Sequence, residues 1–294
     1  MAQAAAERKT AGLVPIHLAV FLFGFAGLFA KWLPLPPTVI VLGRTVFAGL
    51  ALGLWLRIRP AKGPAATVGR KSLAAFGLLG LVLAVHWVTF FQAIRVSTVA
   101  VGLLAYSTFP VFITFMEPVF FKEALRTVDL LTAALVTLGL VLVVPRFDLS
   151  DHILQGALWG SLSGLTFAVL ALLNRHFVRS TSPLVIAFWQ NTAAAVVLAP
   201  VALTGFNIGR LSAGQWGGLA VLGVGCTALA HALFIRGLAS VRAQLAGVIA
   251  ALEPVYGILL ALILLGERPA LRTLAGGLLI LGATLLATRR RQPS

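Results

Sequence analysis

The sequence predicts an all-α integral membrane protein of ten transmembrane helices, arranged as a 5+5 inverted repeat with both termini cytoplasmic. Three observations carry that expectation. Hydrophobic residues make up 60% of the 294, with a mean hydropathy of +1.01, more apolar surface than a water-soluble core can bury. Ten apolar stretches have spanning length. A set of residues recurs 144 positions further along the chain.

The stretches run over 13–33, 38–58, 72–94, 98–121, 128–145, 153–174, 183–204, 213–235, 242–265 and 271–288. A helix of about 20 residues crosses a hydrocarbon core about 30 Å thick. Arg8 and Lys9 before the first stretch imitate a signal-peptide start, but the stretch is too long, lacks a small-residue cleavage site and precedes nine more, so it reads as a retained helix. The second stretch opens at Pro37 and carries Gly49 and Gly53; the sixth carries Gly156, Gly160 and Gly164. Small residues four apart let a neighbouring helix approach closely. Pro110 and Pro254 fall near the middle of the fourth and ninth stretches, where each removes a helical hydrogen bond and frees a carbonyl, that of Tyr106 or Ala250. They read as hinges or as passive kinks.

Charge orients the stretches. Sixteen Lys and Arg residues fall on the side that holds both termini and six on the other (Lys31, Arg95, Arg146, Arg210, Arg268 and Arg272); Arg44, inside the second stretch, completes the 23. An excess of cations marks the cytoplasmic side. The net charge of +15 is therefore topology, and no nucleic-acid partner is expected. The partners expected are the lipid bilayer, here a bacterial inner membrane, and a small-molecule substrate; oligomeric state is not readable. Cys226 is the single cysteine, which excludes an internal disulfide and a Cys/His zinc cluster. No metal or cofactor is expected.

At an offset of 144, Phe90 falls on Phe234, Pro110 on Pro254 and Glu123 on Glu267, and an Ala-Leu-Arg-Thr string follows in both halves at Ala124 and Ala270. Pro37 has a counterpart in Pro183, which opens the seventh stretch. The chain divides into repeats 1–147 and 148–294 that together form one transport unit. Five helices per repeat is an odd number, so the second copy enters the membrane from the opposite face. Secondary transporters use that plan to alternate access to a midplane site.

The run Leu252-Glu253-Pro254-Val255-Tyr256, with Leu265-Gly266-Glu267 before the last helix, resembles the EamA family of the drug/metabolite transporter superfamily over nearly the whole chain. The first repeat departs from the pattern, with Phe109 before Pro110 and Lys122 in place of Gly266. Within the family the overall similarity is to YddG-type exporters. The resemblance implies export of amino acids, aromatic ones included; other members of such a fold carry different metabolites, a nucleoside or a cationic compound among the alternatives.

Ionisable residues inside the stretches are few, namely Arg44, His86, Glu117, His231 and Glu253, and mark candidate pathways. Rise along each helix sets Arg44, His86, Tyr106 and Trp159 at similar depth in the outer half, near enough to converge on one cavity. Trp159, Ser163 and Phe167 recur at four-residue spacing beside the glycine stripe; His86 and Phe90 share a face with Trp87 adjacent. The expected substrate site is His86, Trp87, Phe90, Tyr106, Trp159 and Ser163, with Arg44 and Glu253 in a charge or proton role and hinges at Pro110 and Pro254. Packing against other helices or lipid accounts equally for single aromatics. His86 reads as a proton carrier or a hydrogen-bonded structural residue, Arg44 as a carboxylate partner or a fixed ion pair, and Glu253 as a proton acceptor, a partner of Arg44 or an acceptor of backbone bonds. Gln190 and Asn191 receive no assignment. Trp32, Trp55 and Trp216 end their stretches as interfacial anchors. No clustered carboxylates, HExxH pair, facing Ser/His dyad or phosphate-binding loop is present, so neither an enzyme nor an ATPase is expected, and no ring of like charges suggests a channel.

Overall fold

The computed structural model describes residues 2–59, 70–122, 125, 127–177, 181–238 and 249–290. Among them every regular element is helical: α1 (Ala2–Ala26), α2 (Phe29–Trp32), α3 (Pro37–Ile58), α4 (Arg70–Val96), α5 (Val99–Tyr106), α6 (Phe109–Phe121), α7 (Thr127–Val143), α8 (His152–Phe177), α9 (Pro183–Gly205), α10 (Ala213–Ala220), α11 (Ala230–Leu238), α12 (Glu253–Leu265) and α13 (Leu271–Arg290), with a 3-10 turn at Ile208–Arg210. Seven segments are long and apolar enough to cross a membrane: Leu13–Trp32, Pro37–Ile58, Ala74–Val96, Val99–Phe120, His152–Asn174, Pro183–Gly205 and Ala213–Phe234. The other three expected spans coincide with shorter apolar helices, Asp129–Val143, Glu253–Leu265 and Leu271–Leu285. The first part of the ninth span, through residue 248, lies outside the described residues. The outer surface carries large apolar side chains, Leu50, Val119, Ile263 and Leu278 among them, as a lipid-facing surface must.

Two spans are not the single α-helices the hydropathy suggests. The fourth breaks at Ser107–Thr108 into α5 and α6; the described part of the ninth has the same turn at Ala251–Leu252 before α12. Pro110 and Pro254 therefore do not kink a continuous helix. Each sits in the first turn of a new one, where a missing N–H has no helical partner to lose. The first break satisfies its own carbonyls: Ser107 donates its N–H and hydroxyl to Leu103, and Thr108 donates both to Ala105. α6 and α12 are each 13 residues long, and each ends on a left-handed residue, Lys122 at φ 58° and Gly266 at φ 67°. A left-handed cap is native to glycine and a strain for lysine.

The eighth span holds nine residues of π-helix, Val221–Leu229, between α10 and α11. The Thr227 hydroxyl donates to the carbonyl of Leu222, five residues back, at 3.0 Å, the spacing of that wider coil.

Contacts between elements come in pairs when the halves are exchanged. α4 packs on α8, and α1 on α11; α6 packs on α8, and α1 on α12; α3 on α9 and α7 on α13 each join an element to its own counterpart in the other half. Gly160 is one reason α8 and α5 come together: a side chain there would meet Ala105 and the Gly102 carbonyl.

Candidate functional site

The helices enclose a cavity of about 620 Å³, within the usual size of small-molecule pockets of about 300–1,000 Å³. His86, Trp87 and Phe90 reach it from α4, Tyr106 from the end of α5, Pro110 from α6, Phe167 from α8, and Gln190 and Asn191 from α9. Arg44 enters from α3, His231 from α11, and Glu253 and Pro254 from α12. Its wall continues to Asn174 and to Pro183, which is exposed, so the cavity reaches the surface where α8 leaves the bundle and α9 enters it.

The opposite end is shut by polar contacts. Lys31 Nζ donates to the carbonyls of Ser97 at 2.7 Å and Arg95 at 3.5 Å, and Arg95 donates to the Leu35 carbonyl at 2.8 Å. Glu267, from the loop after α12, accepts the N–H of Val99 at 2.9 Å, one of the donors that the start of α5 leaves without a helical partner. Burial pushes the Glu267 carboxyl above its ordinary range, opposed by that bond and by the Lys31 charge. Hence a bond from one half of the chain to the other lies across the closed end.

Arg44 is buried inside the membrane, and its surroundings explain how. Its guanidinium lies over the Trp87 ring, 3.7 Å from the centroid, and Nε donates to Thr227 Oγ1 at 2.7 Å. A desolvated cation over a tryptophan face gains about 2 kcal/mol. Thr227 can accept because the π-helix turns its own hydroxyl hydrogen toward Leu222. Glu253 attracts Arg44 across the cavity without closing to an ion pair.

His86 is nearly sealed. Its Nδ1 lies 3.0 Å from the Ser163 carbonyl, so that nitrogen carries the proton, and the Ser163 hydroxyl donates to the His86 carbonyl at 3.0 Å. The ring touches Tyr106 and Phe167, with centroids 5.5 and 5.2 Å away. Gln190 Nε2 donates to Asn174 Oδ1, tying α9 to α8.

Of the residues expected to form the site, His86, Trp87, Phe90, Tyr106, Arg44, Glu253, Pro110 and Pro254 are brought together at the wall. Ser163 is fully buried behind His86 and acts on the cavity only through it. Trp159 is a correction: it is 39% exposed on the outer surface and does not line the cavity. A row at four-residue spacing drifts roughly 40° per step, so Trp159 and Phe167 stand about 80° apart on α8. With Gly160 against α5, the Trp159 end of the row turns outward. Thr227 escaped the sequence reading because nothing in its neighbourhood announces a π-helix. Gln190 and Asn191 were legible as amides inside an apolar span, without an indication of which way they point, and Asn174, at the end of its stretch, drew no reading.

A bundle of apolar helices with a ligand-sized chamber at mid-depth, open at one end and latched at the other, is a multi-pass membrane protein built to hold a small molecule. The chain belongs to the EamA-like transporter family, whose profile matches residues 10–144 and again 154–289. An uncharacterized transporter of Archaeoglobus fulgidus is 29% identical over 201 residues, covering 68% of this chain and 71% of the relative. One of Haemophilus influenzae is 54% identical over 50 residues, 17% of this chain and 29% of the relative. A crystal structure of 19% identity superposes over 97% of this chain and 100% of its own, with a TM-score of 0.66, a likeness of fold alone. Family and relatives point to a transporter rather than an enzyme.

Proposed function

We propose that the protein is a secondary transporter that exports amino acids, aromatic ones included, across a bacterial inner membrane by alternating access at the central cavity. The observation that carries the substrate is the pair Arg44 and Glu253: opposite charges facing one chamber with no ion pair closed between them. A zwitterion fits between such poles, its carboxylate on the guanidinium and its ammonium on the carboxylate. Phe90, Tyr106, Phe109 and Phe167 offer ring faces for an aromatic side chain. Two stretches matched by one family profile, equal half-helices α6 and α12, and paired contacts between the halves support two repeats, 1–147 and 148–294, rocking about the breaks beside Pro110 and Pro254. The resemblance to exporters read from the sequence supports outward flux, and the charge bias supports a cytoplasmic opening at Asn174 and Pro183.

Counterflow in proteoliposomes tests this. Vesicles loaded with an amino acid are expected to accumulate labelled phenylalanine, whereas vesicles loaded with a nucleoside or a cationic drug are not. Accumulation driven by the nucleoside or the drug alone would discard the amino-acid reading.

A further inference from the structure

Asn191 lines the cavity from α9 and is 2% exposed. Its Nδ2 donates to the Ala187 carbonyl at 2.8 Å, one turn back. That bond fixes which way the carboxamide faces, since a flip would set oxygen against oxygen. The Oδ1 left over is the one buried side-chain polar atom without a hydrogen-bond partner among the described residues. A buried acceptor left unmade costs about 1–3 kcal/mol, and native proteins leave few. The acceptor belongs to a residue of the cavity wall, so the donor of a ligand seated in the chamber is a group suited to it.

The place of Asn191 adds to this. A side chain at Gly49 would meet Thr192, and one at Gly53 would meet Phe188, which fixes the antiparallel register of α3 on α9. By that register Arg44 stands six residues from the level of Asn191, roughly 9 Å along the axis at 1.5 Å per residue. A carboxylate at Arg44 and a donor at Asn191 would therefore be different parts of one ligand.

Building on the proposed amino-acid substrate, we infer that Asn191 Oδ1 is a specificity-determining acceptor that selects ligands carrying an N–H or O–H donor about one turn or two of helix away from the carboxylate held by Arg44. Two donors have that chemistry: the substrate ammonium, shared with Glu253, and a polar group on its side chain, such as a phenol. A site built around a hydrogen bond discriminates strongly against the analogue that lacks the donor, because its own group is then left buried and unpaired.

The test is competition against counterflow of labelled phenylalanine in proteoliposomes holding the full chain, as wild type, Asn191→Leu and Asn191→Asp. Phenylalanine, tyrosine and 3-phenylpropionate compete, and their ratios are read within each protein so that differences in insertion cancel. Wild type is expected to prefer tyrosine over phenylalanine, or phenylalanine over 3-phenylpropionate, by about tenfold. Asn191→Leu lowers the affected ratio severalfold, and Asn191→Asp, which keeps the acceptor, retains it. The pair that changes identifies the donor as side chain or ammonium. If Asn191→Leu does not insert, Asn191→Ser carries the same ratios. Both ratios equal in Asn191→Leu and wild type would overturn the assignment while leaving the amino-acid reading intact. No competition by any amino acid would overturn that reading, and this assignment with it.

Discussion

Arg44 joins three helices: it rises from α3, stacks on Trp87 of α4 and donates to Thr227 of the π segment. Lysine would keep the charge and lose both the flat stack and the Nε–H bond. Arg44→Lys is expected to raise the half-maximal substrate concentration about tenfold, and Thr227→Val, which removes only the acceptor, about threefold; unchanged values in both variants would remove Arg44 from recognition. Trp159 is the opposite case. Its ring lies on the outer surface, so Trp159→Ala is expected to leave the selectivity for aromatic substrates as it was, measured by the same competition assay. Arg44, His86 and Glu253 were legible because ionisable groups inside apolar spans are rare and costly. Trp159 was misplaced because residue spacing gives a row along a helix but not which neighbour the row meets.

The broken spans and the closed end belong to the scale of elements. Pro254 sits in the first turn of α12, where it discourages the chain from joining the segment before it into one continuous helix. Pro254→Ala relieves that discouragement, and exchange in counterflow is expected to slow while apparent affinity changes less; equal rates would sink the hinge. At the latch, Glu267→Gln still offers an oxygen to the Val99 N–H but no charge to Lys31. Burial disfavours the carboxylate by more than the Lys31 attraction returns, so the neutral side chain leaves the closed form more populated. Mild acid acts in the same direction. The closed end holds the Glu267 carboxyl above the usual range, so the closed form binds a proton more tightly than a form that returns the carboxyl to water, and it gains population as pH falls through that raised value and loses the gain above it. A cysteine replacing Leu35 in a Cys226→Ala background is expected to react more slowly with a membrane-impermeant maleimide in Glu267→Gln, and in the parent protein as pH falls through the raised Glu267 value once the reagent's own pH dependence is divided out; faster reaction in both would overturn the sign.

For the molecule as a whole, the described cavity wall reaches the surface beside Asn174 and the exposed Pro183. A cysteine at position 174 in the same background is expected to label readily from the side of the termini and to be protected by substrate, whereas one at position 103, packed in the core of α5, stays unlabelled. Labelling of position 174 from the opposite side alone would reverse the proposed topology. The outer surface needs no further partner than lipid to account for its apolar side chains, since in a bilayer helix association depends on close packing at small residues such as Gly160 and not on hiding leucines from water.

A multi-pass helical membrane protein was legible from the chain alone, because apolar runs of spanning length have no other stable home. The chain also showed where the second half echoes the first, because two prolines and two chain reversals at one offset demand the same backbone twice; Lys122 and Gly266 share a left-handed turn although only one of them is glycine. Orientation came from packing. Whether a polar side chain in an apolar helix faces a chamber, a neighbour or lipid depends on the rotation of that helix against others distant in the chain. That rotation turned Trp159 outward, hid Ser163 behind His86, set the π-helix of the eighth span under Arg44, and placed Asn191 in the cavity wall with its oxygen unpartnered.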